Sequence, residues 1–190
     1  IKRLGAALAY VAMVNNSRVS VSLFADGVVG QLPNMRGRNY IGRMADFLLN
    51  ADCQGPSNFA KACRQLTAAR TGTGVMIVVS DFFFKEGYDE ALRRLISRNY
   101  DLYCIQMLSP QEVSPPLSGD LKLIDVEDFD DAEITMSSAL LDYYKKNLAA
   151  YCTELQTFCR KRGATYAMTD SSKPIETFML NYLRRRGLLR

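Results

Sequence analysis

The stretch that most constrains the fold is an unbroken apolar run, Val75–Val79, near the middle of the chain. The run is rich in β-branched residues and too short for a helix, and it lies between Thr71–Gly74 and Ser80-Asp81. A short apolar run of this kind predicts a strand that is buried on both faces, as in a parallel sheet covered by helices. Ligands of such sheets bind at the carboxyl ends of the strands, so Asp81 is the first candidate for a functional role.

Hydrophobic periodicity in the rest of the chain predicts an alternation of strands and helices. Helical spacing covers 1–15, 36–50, 88–98 and 138–162, with one more helix starting at Ser57 or Asn58 and a last one at Pro174. Strand-like runs cover 19–24, 28–32, 101–108, 121–126, 133–136 and 164–168, and the first two flank a hairpin turn at 25–27. This order predicts one α/β domain over residues 1–190, with three layers, a mostly parallel sheet, helices on both faces and one antiparallel hairpin at the edge.

Charge and composition argue against two classes of partner. The chain has 24 lysines and arginines against 20 acidic residues, a mild excess that does not interleave with aromatic residues. A nucleic-acid partner is therefore not expected. No apolar stretch approaches the roughly 18 residues of a membrane span, and no signal peptide is present, so we expect a cytoplasmic segment without membrane contact.

The chain has no histidine, and its five cysteines show no C-x-x-C spacing. A zinc site is therefore not expected, and the cysteines are interpreted as reduced, mostly buried thiols. Without histidine, Ser-His-Asp and Cys-His catalysis are excluded, and so is the commonest general base.

Short motifs follow one another along almost the whole chain: AALAYVA at 6–12, RV at 18–19 with LF at 23–24, LP at 32–33 with RGR at 36–38, VVSD at 78–81, LSPQE at 108–112 and GDLKLID at 119–125. Together with the order of the elements, they resemble a von Willebrand factor A domain, and more closely the bacterial family called domain of unknown function 58. The resemblance implies a Rossmann-like sheet whose first strand is missing from this chain.

The resemblance also implies a metal-ion-dependent adhesion site. Such sites bind Mg²⁺ or another divalent cation through a D-x-S-x-S loop, a threonine from a second loop and an aspartate from a third, and hard oxygen ligands suit this ion. Asp81 matches the third-loop aspartate, and Ser57 falls where the threonine would be. The D-x-S-x-S loop is absent, so the implied site is incomplete in this chain.

The missing strand would lie between the strands at Val19 and Val75. We therefore expect these two strands either to pair directly or to admit a segment of another chain, since an unpaired central edge is costly. Each site residue also has a plain structural interpretation: Asp81 would cap the turn after its strand, and Ser57 would cap the following helix.

Two functions are compatible with these features. The resemblance implies a non-catalytic protein–protein interaction module that assists the assembly or maturation of other complexes, with a MoxR-type AAA+ ATPase or its client as partner and with a membrane anchor upstream in the full-length protein. The alternative is a metal-dependent hydrolase that uses Asp81. Such an enzyme needs a second acid or base nearby, for which Asp26 and Glu112 are the other candidates. We favour the interaction module.

Overall fold

The computed structural model describes residues 1–52, 56–69, 73–98, 100–116, 119–124 and 131–185. The helices in these ranges are α1 (Lys2–Val14), α2 (Ile41–Leu49), α3 (Phe59–Ala69), α4 (Asp89–Ile96), α5 (Pro110–Val113), α6 (Ser138–Lys161) and α7 (Ile175–Phe178). The strands are β1 (Val19–Ala25), β2 (Gly27–Met35), β3 (Gly74–Ser80), β4 (Tyr100–Leu108), β5 (Gly119–Ile124), β6 (Asp131–Met136) and β7 (Thr165–Asp170). A 3₁₀ turn, Arg38–Tyr40, precedes α2, and a π-helical turn, Met179–Leu183, follows α7.

These elements confirm the predicted α/β fold. Strands β3, β4 and β7 form a parallel sheet in that order, while β1–β2 and β5–β6 are antiparallel hairpins. The chain is organised as two compact units, the first made of residues 1–72 and 82–98 and the second of residues 73–81 and 99–190. The single domain expected over residues 1–190 stays a prediction.

In the first unit, the β1–β2 hairpin is fastened to α3 at its turn. The Asn58 backbone N–H donates to the Ala25 carbonyl at 2.8 Å, and Lys61 Nζ lies 2.8 Å from Asp26 Oδ2. Gln65 Oε1 accepts a 2.7 Å hydrogen bond from the backbone N–H of Val28. The residue before α3 and the first two turns of this helix thus hold the hairpin, which orders β1 and β2 without a place in a larger sheet.

The core of the first unit forms where α1 and α2 bury one face each against this hairpin. Its fully or nearly buried members are Ala9, Met13, Leu32, Met35, Met44 and Leu48. A second, aromatic group contains Phe24, Phe59, Phe82 and Phe84. Phe59 and Phe84 stack with their ring centroids 4.5 Å apart.

The core of the second unit is built around β4, whose residues from Leu102 to Leu108 are all buried. Such an unbroken run of buried residues, apolar except for Gln106, is the pattern of a central parallel strand, and β4 pairs with β3 on one side and β7 on the other. Leu155, Phe158 and Cys159 are the buried residues of α6. Gly163, with φ of 73°, follows this helix in the left-handed conformation that glycine adopts most easily.

The expected direct pairing of the strands at Val19 and Val75 is wrong. Strand β1 pairs with β2 in a two-stranded sheet, and among the described strands β3 pairs with β4 alone. The hairpin finds its hydrogen bonds within its own ladder and on α3, so it does not need the edge of β3. Insertion of a segment from another chain stays a prediction.

Two details concern α6 and the segment before it. On α6, Leu155 and Phe158 are buried, but Tyr144 and Leu148 are only half-buried, so the apolar face of this helix is core in its second half alone. The proline-rich segment after β4 contains the single-turn helix α5. In the acidic segment 127–131, residues 127–130 lie outside the described residues. Among the described helices, none combines the length and the apolar composition that crossing a bilayer requires.

The hairpin turn gives a direct test of this fold. Gly27 has φ of 90°, and a Cβ atom there would lie 2.8 Å from Gln65 Oε1. We expect Gly27→Ala to lower the free energy of unfolding by about 1–2 kcal/mol in urea denaturation, because it adds backbone strain and displaces Gln65.

Gly42→Ala is the matched control, since Gly42 lies within α2 and a Cβ atom there meets nothing within 4 Å. It should leave stability unchanged or raise it by up to about 1 kcal/mol. Equal losses for the two variants would contradict the described turn.

Candidate functional site

Asp81 lies where the sequence places it, directly after the last residue of β3. In the parallel register of β3 and β4, Ser80 is opposite Gln106. The Asp81 side chain is half-buried, and Ser80 Oγ donates to Asp81 Oδ1 at 3.3 Å. The carboxylate therefore stands at the carboxyl edge of the three-stranded sheet, the edge at which parallel sheets bind ligands.

A buried glutamine supports the backbone beneath Asp81. The Gln106 side chain is completely buried, and its Nε2 atom donates to the Asp81 carbonyl at 2.7 Å. Its Oε1 atom accepts a 2.6 Å hydrogen bond from the hydroxyl of Tyr166 on β7. One amide group thus links all three strands of the sheet, and it locks the end of β3 to its neighbours.

The hydrogen-bond network of Gln106 and Tyr166 also reaches helix α6. Cys152 of α6 hydrogen-bonds to Tyr166, and this contact partly offsets the effect of burial, which raises the pKa of the Cys152 thiol. Every buried polar atom of a side chain in the described part of the chain has a hydrogen-bond partner. A fully satisfied buried network of this kind rigidifies the groups that it connects.

The residue after Asp81 has an unusual backbone conformation. Phe82 has φ of 65°, the left-handed region that costs a residue with a side chain about 1–2 kcal/mol. The Phe82 side chain is completely buried, and its ring lies 6.3 Å from that of Phe59. The packing of this ring holds the strained turn in place, and strain of this type is concentrated at functional sites.

Ser57 is not the cap of α3. The cap is Asn58, whose Oδ1 atom accepts a 2.8 Å hydrogen bond from the backbone N–H of Lys61. Ser57 is half-buried, and its hydroxyl makes no hydrogen bond to another described residue. Ser57 belongs to the first unit and Asp81 to the second, and their joint binding of one metal ion stays a prediction.

The donor types at these two positions fit only part of a magnesium shell. A carboxylate and a hydroxyl are hard oxygen donors, but Mg²⁺ takes about six oxygens in octahedral geometry. Within the described ranges, no three side chains of the types His, Cys, Asp and Glu are grouped so that they could hold a metal ion. Asp81 and Ser57 would need further ligands from elsewhere.

The two residues considered as a second acid or base are engaged in structural roles. Asp26 forms the ion pair with Lys61 at the hairpin turn. Glu112 completes the capping box of α5, in which its side chain accepts from the Ser109 backbone N–H. The Glu112 carbonyl also accepts a 2.6 Å hydrogen bond from the Tyr144 hydroxyl.

Comparison with known proteins identifies the family. The model of the family described as "Protein of unknown function DUF58" matches residues 1–170. The chain belongs to the DUF58 family. An uncharacterized DUF58-like relative in Mycobacterium avium is 25% identical over 134 residues, which are 70% of this chain and 79% of the relative. An uncharacterized protein of Mycobacterium tuberculosis is 23% identical over 190 residues, and the match spans 97% of this chain but 59% of that protein.

Two solved structures share the fold of this DUF58 chain. BatB of Bacteroides thetaiotaomicron, a conserved hypothetical protein, has a TM-score of 0.54 at 17% identity, over 98% of this chain and 86% of that one. A Bacteroides fragilis protein described as an aerotolerance-related membrane protein has a TM-score of 0.55 at 18% identity, over 97% and 86%. At these identities the similarity shows the fold alone.

The importance of the Gln106 network can be tested by two substitutions. Gln106→Leu leaves the Asp81 carbonyl and the Tyr166 hydroxyl without their partner, and Tyr166→Phe leaves Gln106 Oε1 unpaired. An unsatisfied buried group costs about 1–3 kcal/mol. We expect the free energy of unfolding to fall by about 2–4 kcal/mol for Gln106→Leu and by about 1–2 kcal/mol for Tyr166→Phe, measured by urea denaturation.

The control is Tyr143→Phe on α6, where the tyrosine is 63% exposed. An exposed change of this kind should stay within about 0.5 kcal/mol of the parent protein. If Tyr166→Phe were as mild as Tyr143→Phe, the network would not hold the end of β3.

Proposed function

We propose that this DUF58 chain is a non-catalytic protein–protein interaction module whose contact point is Asp81. The observation that carries the proposal is the support beneath this residue: a buried amide, a buried tyrosine and a strained but well-packed turn fix the backbone on both sides of a half-exposed carboxylate. Such preorganisation lowers the ordering cost of binding a partner.

Two polar groups that hydrogen-bond to Asp81 favour partner binding over catalysis. The Ser80 hydroxyl and the Gln106 amide are hydrogen-bonding groups that do not ionise near neutral pH, so neither can act as a general acid or base there. Asp26 and Glu112, the candidates for a second acid or base, are committed to an ion pair and a helix cap. A hydrolase would need one of them for proton transfer.

A divalent cation is the proposed link between Asp81 and the partner. We propose that Asp81 and Ser57 each contribute one oxygen ligand, and that the loop implied by the resemblance and a carboxylate of the partner complete the set. When bound, the cation would supply a positive charge that attracts an acidic side chain. The chain's own task is to hold the Asp81 carboxylate in a fixed position.

The proposed partner is a MoxR-type AAA+ ATPase or a client of that ATPase, and the proposed role is assistance in assembling or maturing other complexes on the cytoplasmic side. This part of the proposal rests on the resemblance stated above, since the matched family model is described as a protein of unknown function. The aerotolerance-related description belongs to the Bacteroides fragilis protein, which supports a shared fold.

The experiment measures binding of the purified MoxR-type ATPase of the same organism by biolayer interferometry, with Mg²⁺ or with EDTA. We expect Asp81→Ala and EDTA each to weaken binding by about tenfold or more, a loss of about 1.4 kcal/mol. Asp101→Ala is the matched control, since Asp101 is an exposed aspartate near the start of β4 and should leave the affinity unchanged.

Failure of the parent protein to bind the ATPase would contradict the proposed partner. A metal-dependent hydrolysis of ester or phosphoester substrates that Asp81→Ala abolishes would instead establish the alternative function, a hydrolase.

A further inference from the structure

Charge is divided unevenly between the two compact units. The first unit has 13 lysines and arginines against six acidic residues, a formal charge of +7, while the second has 11 against 14, a charge of −3. The net charge of +4 for the whole chain is therefore the sum of a strongly basic first unit and a mildly acidic second unit. Part of its excess is concentrated in residues 27–45, which contain three arginines and no acidic residue.

Two arginines stand side by side at the open end of the β1–β2 hairpin. Val19 is paired with Met35 in the ladder, so Arg18 and Arg36 lie just beyond this pair on neighbouring strands. Each arginine is one residue outside β1 or β2, so both lie at the same end of the hairpin.

Two further arginines follow within a few residues. Gly37, with φ of 80°, turns the chain from β2 into the 3₁₀ turn that begins at Arg38. Arg43 is in the first turn of α2, which begins at Ile41. Because 3₁₀ and α turns rise only about 1.5–2 Å per residue, Arg43 stays within about 10 Å of Arg38 along the chain. We call Arg18, Arg36, Arg38 and Arg43 the arginine cluster.

The arginine cluster has no ion-pair partner within the described part of the chain. All four side chains are exposed, and none of them makes a hydrogen bond or an ion pair with a described residue, including Asp46, which follows Arg43 by three positions on α2. Other cations of the first unit are neutralised: Lys61 pairs with Asp26 at the opposite end of the hairpin, and Arg94 pairs with Glu90 on α4. The open end of the hairpin thus carries four arginines that no ion pair to a described residue neutralises.

Neither packing nor local structure accounts for this arrangement. The buried residues at this end are Met35 and Met44, and the arginines around them face water. Like charges that lie within about one Debye length of one another, about 8 Å at physiological salt, repel one another in the free protein. Binding of an acidic partner would relieve that repulsion.

We propose that the arginine cluster binds an acidic segment of a partner protein. Each guanidinium presents a fork of donors that fits a carboxylate in bidentate geometry. An extended segment advances about 3.3 Å per residue, so five or six residues of such a segment span the cluster. Arg43 is in α2 and Arg38 is in the 3₁₀ turn, while Arg18 and Arg36 flank the last ladder pair, so little backbone order has to be gained on binding.

The exposed side chains near the arginine cluster favour an acidic protein segment over nucleic acids and membrane surfaces as the partner. Single-stranded nucleic acids stack their bases on several aromatic residues, and membrane surfaces take up inserted apolar side chains. Within residues 34–43, Tyr40 is the large hydrophobic residue that is exposed, at 39%. The arginine cluster lies in a different unit from Asp81, and its binding does not require a metal ion.

The test measures fluorescence anisotropy of a labelled oligoglutamate peptide titrated with the protein at low and at physiological ionic strength. The cluster variant replaces Arg18, Arg36, Arg38 and Arg43 by serine. The control variant replaces Lys145, Lys146, Arg184 and Arg185 by serine, which changes the net charge equally at exposed positions of the second unit. All eight positions are exposed, so both variants should keep the thermal stability of the parent.

We expect salt-sensitive binding by the parent and the control variant, and at least about a tenfold weaker binding by the cluster variant. Asp81→Ala and EDTA should leave this binding unchanged, which separates the arginine cluster from the proposed metal site. An equal loss in both variants would overturn the proposal, because net charge alone would then explain binding. Tighter binding of duplex DNA, or of phosphatidylglycerol vesicles, through the same arginines would also overturn it.

Discussion

The side chain of Gln106 is the constraint on which the candidate site depends. A buried amide needs both a donor and an acceptor partner, because leaving a buried polar group unpaired lowers the free energy of unfolding by about 1–3 kcal/mol. Here the acceptor is the Asp81 carbonyl and the donor is the Tyr166 hydroxyl. Satisfying Gln106 therefore fixes the end of β3, and with it the position of Asp81.

The two units provide different kinds of surface. In the second unit, the buried hydrogen-bond network places one carboxylate at the edge of a parallel sheet. In the first unit, four exposed arginines lie at the open end of the hairpin. At the other end, Lys61 of α3 forms an ion pair with Asp26 of the hairpin turn. Both surfaces rest on ordered backbone, and we propose that both recognise acidic groups, Asp81 through a bound cation and the arginine cluster directly.

Much of the fold could be predicted from the sequence because it depends on local patterns. The apolar run at Val75–Val79 and the turn residues Asp26 and Gly27 determine their own elements, and the structure confirms them. Lateral pairing could not be predicted in this way, since an apolar pattern identifies a strand but not its neighbour. The hairpin consequently forms a sheet of its own, although direct pairing with β3 was one of the two arrangements expected.

The candidate site was predictable only in part, for the same reason. Asp81 was found because strand ends are visible in the sequence. Gln106 stands out in the sequence as a single amide within an otherwise apolar run. Its partner Tyr166 is sixty positions away, and no sequence pattern connects the two residues. The choice between Ser57 and Asn58 as the cap of α3 depended on side-chain geometry, which neighbouring polar residues do not reveal.

The central claim is that Gln106 is held rigidly beneath Asp81, and NMR relaxation of side-chain amides tests it most directly. The exposed amides of Gln111 and Gln156 serve as internal references. The account predicts that the Gln106 amide exchanges slowly with water and has an order parameter near that of rigid backbone, about 0.85. Fast exchange and an order parameter below about 0.6, as for the exposed amides, would contradict it.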